Sequence, residues 1–219
     1  IMALGPKLDW IKNKKIEPKF TKIVFLFLSI FISYLIAKNF NTQILYSTIL
    51  ISSAIYLLFI SITDLKNEKL KSSQKISHMA FSFLIISIIV NSLFSEEVSV
   101  NLKKGEEKKL SNYLLKFENI SKTEIDNFTS LKAEIHVIQN NDQLKFYPEL
   151  RLYKVPKTIT SEADIKTNLF TDNLVVVNYL KDTEYLNIRY QKKPFMLIIW
   201  LSALTLAFGG LLGLRINFK

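Results

Sequence analysis

Cysteine is absent from this chain. Disulfides, CxxC redox chemistry and thiolate metal sites are therefore excluded. Histidine is nearly as scarce, with two in 219 residues, His78 and His136. Serine–histidine–acid catalysis fails on that count, because the β-type segment holding His136 offers no argued partners. Carboxylates are scattered without a convergent pair, and no internal repeat or low-complexity tract is present. A clustered basic patch with interleaved aromatics is also missing, so nucleic acid is a poor partner despite the formal charge of +10. No small-residue cleavage site follows the first apolar stretch, which argues against a signal peptide. The first residue is Ile1, and Gly5-Pro6 reads like the interior of a protein, so a fragment or a split subunit is expected.

What is present is long apolar runs that carry almost no charge. Lys22 to Phe40, Gln43 to Thr63, Ile76 to Ser95 and Pro194 to Leu214 are each near the ~20 residues that cross a bilayer as a helix. Nearly all the charge lies between them. The expected organisation is a basic arm over 1–21, three transmembrane helices over 22–95 with a basic loop at 64–75, a soluble domain over 96–193, and a last helix with a short tail over 194–219. Residues 39–42 form a short link, so the first two spans make a hairpin.

Charge sets the expected orientation. The arm through Lys22 has six lysines against Asp9 and Glu17, and the loop has four against Asp64 and Glu68. The tail adds Arg215 and Lys219. Four spans put these regions on one side, and the positive-inside rule makes that side the cytoplasm or the mitochondrial matrix. The domain over 96–193 then lies outside. Its 16 basic and 15 acidic residues nearly cancel, so the net charge is mostly a topology signal.

The outer domain reads as antiparallel β structure, a sandwich or barrel. Residues 98–103, 112–118, 131–139 and 185–191 alternate, and 174–180 is a buried-type strand. Leu131, Ala133, Ile135 and Val137 point inward. Lys132, Glu134 and His136 point outward, which makes His136 a solvated surface histidine. Asn140-Asn141-Asp142 is a turn signal, and 161–169 reads as one or two helical turns.

His78 differs from His136. It lies just inside a span, where an unpartnered histidine is costly and usually faces a bundle interior. At helical spacing it lines up with Ser82, Ile85, Ile89 and Ser92, a stripe expected to face protein. Periodicity leaves two readings open: an interfacial histidine, or an axial ligand to haem iron.

The segment "ISHMAFSFLIISII" (76–89) resembles the Leu-Ala-His-Leu-Gly-type segment of CcmF, the haem lyase subunit family of system I cytochrome c maturation. Likewise "LGPKLDW" (4–10) resembles that family's Gly-Pro-Leu-Leu-x-Trp loop, and "YPELRLYKVP" (147–156) its Pro-Glu-Lys-Arg-x-Tyr stretch. "TSEADIKTNLFTDNLVVV" (160–177) and "IRYQKKPFMLIIWLSALTLAFGGLLGLR" (188–215) resemble its closing segments. The ordered set covers essentially the whole chain. The resemblance implies a C-terminal part of CcmF in a bacterial inner membrane or the mitochondrial inner membrane. His78 would be a transmembrane ligand of haem b. Arg151 and Tyr153 would belong to a typical outer stretch of unassigned role, and Gly209 and Gly210 would serve helix packing.

The implied partners are the remaining N-terminal part of CcmF, a CcmE-type haem chaperone, CcmH-type thiol handlers, apocytochrome c and quinol. The family's tryptophan-rich WWD segment, its two flanking histidines and its second transmembrane histidine are not in this sequence, and Ala80 stands where the family has glycine. No catalytic residue is therefore assigned. The rival reading is a non-enzymatic four-span protein presenting a β-domain interaction module. Sequons at 119–121 and 127–129 would suit it, and the lack of cysteine weighs against it.

The orientation is testable by protease protection in right-side-out vesicles. Residues 96–193 should be cleaved and 66–75 spared, and the opposite pattern would reverse the topology.

Overall fold

In the computed structural model of the chain, residues 20–39, 44–68, 70–140, 142–180 and 184–216 are described. Residues 1–19 of the arm, with the motif at 4–10, lie outside them, as do 40–42 of the expected link, Asn141 of the expected turn and Lys219 of the tail. The chain divides into two compact units, a helical one and a β domain spanning Phe94–Pro194. Four apolar helices and an antiparallel β domain are thus both present, as expected.

The helices are α1 (Phe20–Asn39), α2 (Ile44–Leu65), α3 (Ser72–Phe94) and α4 (Met196–Ile216). All four are long and apolar enough to cross a membrane. A span must satisfy its backbone and its hydroxyls internally. Here many of the serines and threonines bond back to their own helix: Ser33 to the Ser29 carbonyl at 2.6 Å, Thr63 to Ile60, Ser82 to Met79 and Thr205 to Leu201, whereas the buried Thr48 and Ser61 hydroxyls of α2 have no partner among the described residues. The Lys75 ammonium donates to the Leu65 carbonyl at 3.0 Å and so satisfies the end of α2.

Packing follows small side chains. On α1, Ser29, Ser33 and Ala37 recur every four residues and are buried. Phe25 meets Phe59 with ring centroids 5.2 Å apart, and Leu57 and Ile60 of α2 gather Phe25 and Phe81 around them. On α3 the buried line is Ser73, Ala80 and Ser87, one heptad apart, with Ser77 between them. Gly209 of α4 lies against Ser77, and Gly213 lies near Ser73. The stripe expected through His78 runs along another face of α3. Ser82 is buried, but Ser92 is exposed and His78 half-buried. A serine that bonds to its own helix, as Ser82 does, can face an apolar neighbour at little cost.

The β domain is a sandwich of two antiparallel sheets. One runs β1 (Glu96–Leu102), β10 (Leu186–Pro194), β9 (Thr171–Tyr179), β8 (Asp164–Thr167). The other runs β2 (Glu107–Leu110), β3 (Tyr113–Ile125), β4 (Phe128–Gln139), β6 (Glu149–Tyr153), β7 (Thr158–Glu162), with β5 (Asp142–Phe146) paired to the far end of β4. Alternation puts Leu115, Phe117, Ala133, Ile135, Val175, Val177 and Ile188 into one core. Full burial of such aliphatic side chains is worth ~1.5–3 kcal/mol each. Leu131 packs at its edge, and Val176 is half-buried, so β9 alternates and is not buried on both faces.

Two tyrosines complete the core. Tyr113 and Tyr190 sit with ring centroids 4.9 Å apart. Tyr113 donates to Glu96 at 2.7 Å and Tyr190 to Asn173 at 2.8 Å. Burial, then the Glu96 charge, pushes Tyr190 up to about 12, and burial with the Glu96 hydrogen bond pushes Tyr113 up as well. Both therefore stay protonated donors.

The expected helical turns at 161–169 are strands. Residues 158–162 pair with β6 and 164–167 with β9, so the chain changes sheets at Ala163. Asp164 fixes the corner by accepting the Tyr147 backbone N–H at 2.6 Å. Tertiary pairing overrides the helical leaning of Ser-Glu-Ala-Asp.

Candidate functional site

His78 stands in the second turn of α3, half-buried. Phe81, one turn on, packs against Leu57 and Ile60 of α2. Ser77, one residue before, meets Gly209 of α4. The helix carrying the imidazole thus meets α2 and α4 at single points close to His78. Asp64, in the last turn of α2, is 5 % exposed, an ionisable residue buried in an apolar helix. Periodicity did not single it out. Its signal was a charge directly after an uncharged run.

His136 is not on a solvated face. It is 8 % exposed. Its Nε2 hydrogen-bonds Glu134 Oε1 at 3.0 Å, its Nδ1 takes the Gln143 amide at 2.8 Å, and Glu118 Oε1 lies 3.3 Å from Nδ1. The outward direction was read correctly, but the covering was not foreseen. β5 lies alongside this half of β4, opposite Lys145 in register with His136. A bulge between Phe117 and Asn119 adds Glu118 on the other side. The hydrogen bond from Lys116 holds the Glu118 carboxyl below its ordinary range, so Glu118 is ionised beside the imidazole. With both ring nitrogens engaged, His136 has no free donor atom for a metal.

Glu149, Arg151 and Tyr153 alternate along β6 and share the outer face of their sheet. Glu149 accepts from Ser130 at 3.2 Å and from Arg151 Nε at 3.3 Å. Arg151 Nη1 lies 3.9 Å from Glu162, and the guanidinium sits 5.3 Å over the Phe128 ring. Hydrogen bonding to Tyr153, then to Glu149, raises the Arg151 pKa further. This satisfied network ties β4, β6 and β7 together. It holds no nucleophile–base pair. Among the described residues, no three His, Cys, Asp or Glu side chains are grouped to hold a metal ion.

Residues 93–194 match the family described as the CcmF C-terminal beta-sandwich. The cytochrome c-type biogenesis protein CcmF of Pseudomonas fluorescens is 31 % identical over 139 residues, which are 63 % of this chain and 21 % of that protein. The CcmF of Haemophilus influenzae is 22 % identical over 229 residues, covering 97 % of this chain and 35 % of its own length. The solved cytochrome c haem lyase CcmF shares the fold with a TM-score of 0.71 over 96 % of this chain and 37 % of that one, at 13 % identity. The chain thus spans about a third or less of the curated relatives it matches.

The His136 cluster yields a prediction. His136→Ala leaves the Glu134 carboxylate and the Gln143 amide without their shared partner and should cost about 1–2 kcal/mol. Thermal unfolding of the detergent-solubilised protein checks this. An unchanged midpoint would mean that the imidazole is a solvated surface group after all.

Proposed function

The chain belongs to the CcmF family of cytochrome c biogenesis proteins and matches its C-terminal region, and from that premise we propose that it supplies one axial ligand, His78, to a haem b held among membrane helices. The observation that carries the reading is a half-buried histidine in a membrane-spanning helix of a chain whose likeness to CcmF extends over 97 % of its length, α3 included.

The residues fit the group in a limited way. A neutral imidazole in an apolar helix bundle is a suitable axial donor. Its second ring nitrogen then needs an acceptor to fix the ring's orientation. The other histidine, His136, already bonds through both nitrogens in the β domain. A second histidine ligand would therefore come from the remaining N-terminal part of CcmF. Bound haem would supply one-electron chemistry, with quinol as the electron source.

The roles left to this chain's residues are to bind and to orient. α3 would present His78 to the iron from a turn that touches α2 through Phe81 and α4 through Ser77. The sandwich stands on the outer side, in the periplasm or the intermembrane space of a bacterial or mitochondrial inner membrane. There it contributes to the surface that receives apocytochrome c and the CcmE-type and CcmH-type proteins. Covalent attachment of haem to apocytochrome c takes place at residues that this chain does not contain.

Substitution of His78 by Ala in the assembled complex is the test. The haem b bands of the purified protein should fall sharply, cytochrome c maturation should fall with them, and added imidazole should restore part of the signal. Unchanged haem content and coordination would reduce His78 to an interfacial histidine.

A further inference from the structure

We propose that Gly209 on α4 is a positioning residue for His78 and acts through Ser77. The proposal rests on the reading of His78 as an iron ligand. α4 carries three glycines close together, Gly209, Gly210 and Gly213. In sequence they look alike, but their surroundings differ. A Cβ on Gly209 would collide with the Ser77 hydroxyl and would stand 3.1 Å from the Ser77 backbone nitrogen and 3.2 Å from Ile76 Cγ2. A Cβ on Gly210 would meet nothing within 4 Å. One on Gly213 would make ordinary contact with Ser73, at 3.7 and 3.8 Å.

α4 therefore presses bare backbone against the main chain of α3 at one place, and that place is the residue before His78. A serine hydroxyl can rotate away, but a helix backbone nitrogen cannot. A methyl at 209 must push α3 back at Ser77. Because a helix is stiff over a single turn, His78 moves with the Ser77 amide. Ligand chemistry is sensitive to displacements of this size, since a site must be held within ~0.5 Å of its productive geometry. The bland alternative is that Gly209 only tightens a helix pair, in which case its loss would lower stability without touching the iron's coordination.

The absence of cysteine supplies a clean reporter. Gly213→Cys would place its Cβ 3.8 Å from that of Ser73→Cys, a separation suited to a disulfide. Cross-linking of this pair reads the α3–α4 crossing in haem-free protein. In the assembled complex, Gly209→Ala should slow that cross-link, shift the haem midpoint potential and low-spin spectrum, and weaken haem retention by about tenfold. Gly210→Ala should behave as wild type. If Gly209→Ala does not accumulate, Ser77→Thr crowds the same crossing from α3 and should shift the same spectrum. A wild-type spectrum, potential and haem retention in Gly209→Ala, or in Ser77→Thr where it stands in, overturns the proposal whatever the cross-link does. Loss of haem in His78→Ala alongside such a result would leave the ligand reading standing, while wild-type haem in His78→Ala would remove both.

Discussion

Hydrocarbon gives helices no hydrophobic reason to associate, and the helical half of this protein is built around that constraint. Lipid tails are as apolar as leucine, so association depends on close contact of surfaces and on satisfied polar groups. The sequence answers with serine, alanine and glycine where helices touch: Ser29, Ser33 and Ala37 on α1, Ser73, Ala80 and Ser87 on α3, and Gly209 on α4. Hydroxyls that bond back to their own helices, such as those of Ser33 and Ser82, carry little cost in an apolar setting. The large apolar side chains Phe27, Trp200, Leu204 and Leu211 are left exposed, as a lipid-facing surface requires.

The β domain solves the opposite problem. It excludes water by burial, with aliphatic side chains from both sheets and two tyrosines whose hydroxyls find Glu96 and Asn173. Its outer faces carry charges that are mutually paired, such as Lys116 with Glu118 and Arg151 with Glu149. Exposed pairs of this kind contribute about 0–1 kcal/mol each, so they keep the surface soluble and in register more than they hold it together. Strands that change sheet at 103–106 and at Ala163 join the two layers, which is why a sandwich and a barrel were hard to separate from the strand pattern.

Much of this was legible in the sequence. The spans are, because ~20 uncharged residues have few alternatives. The alternating strands are, because Ile135 and Val137 against His136 is a period-two signal. What escaped detection depends on partners distant in sequence. The short strands β7 and β8 exist because β6 and β9 lie beside them, and His136 is buried because β5 covers it. A second buried line on α3, through Ser73, Ala80 and Ser87, was not read, because what it packs against is distant in sequence. His78 was singled out by rarity and by family resemblance. Gly209 could not be told from Gly210 until Ser77 was seen opposite one of them.

The central claim is that the imidazole of His78 is bonded to iron. A cryo-electron microscopy structure of the haem-loaded assembly containing this chain tests it most directly. The account predicts iron coordinated by a His78 ring nitrogen, with the second axial ligand contributed from outside this chain. Iron ligated elsewhere, with both His78 nitrogens hydrogen-bonded to protein or lipid, would contradict it.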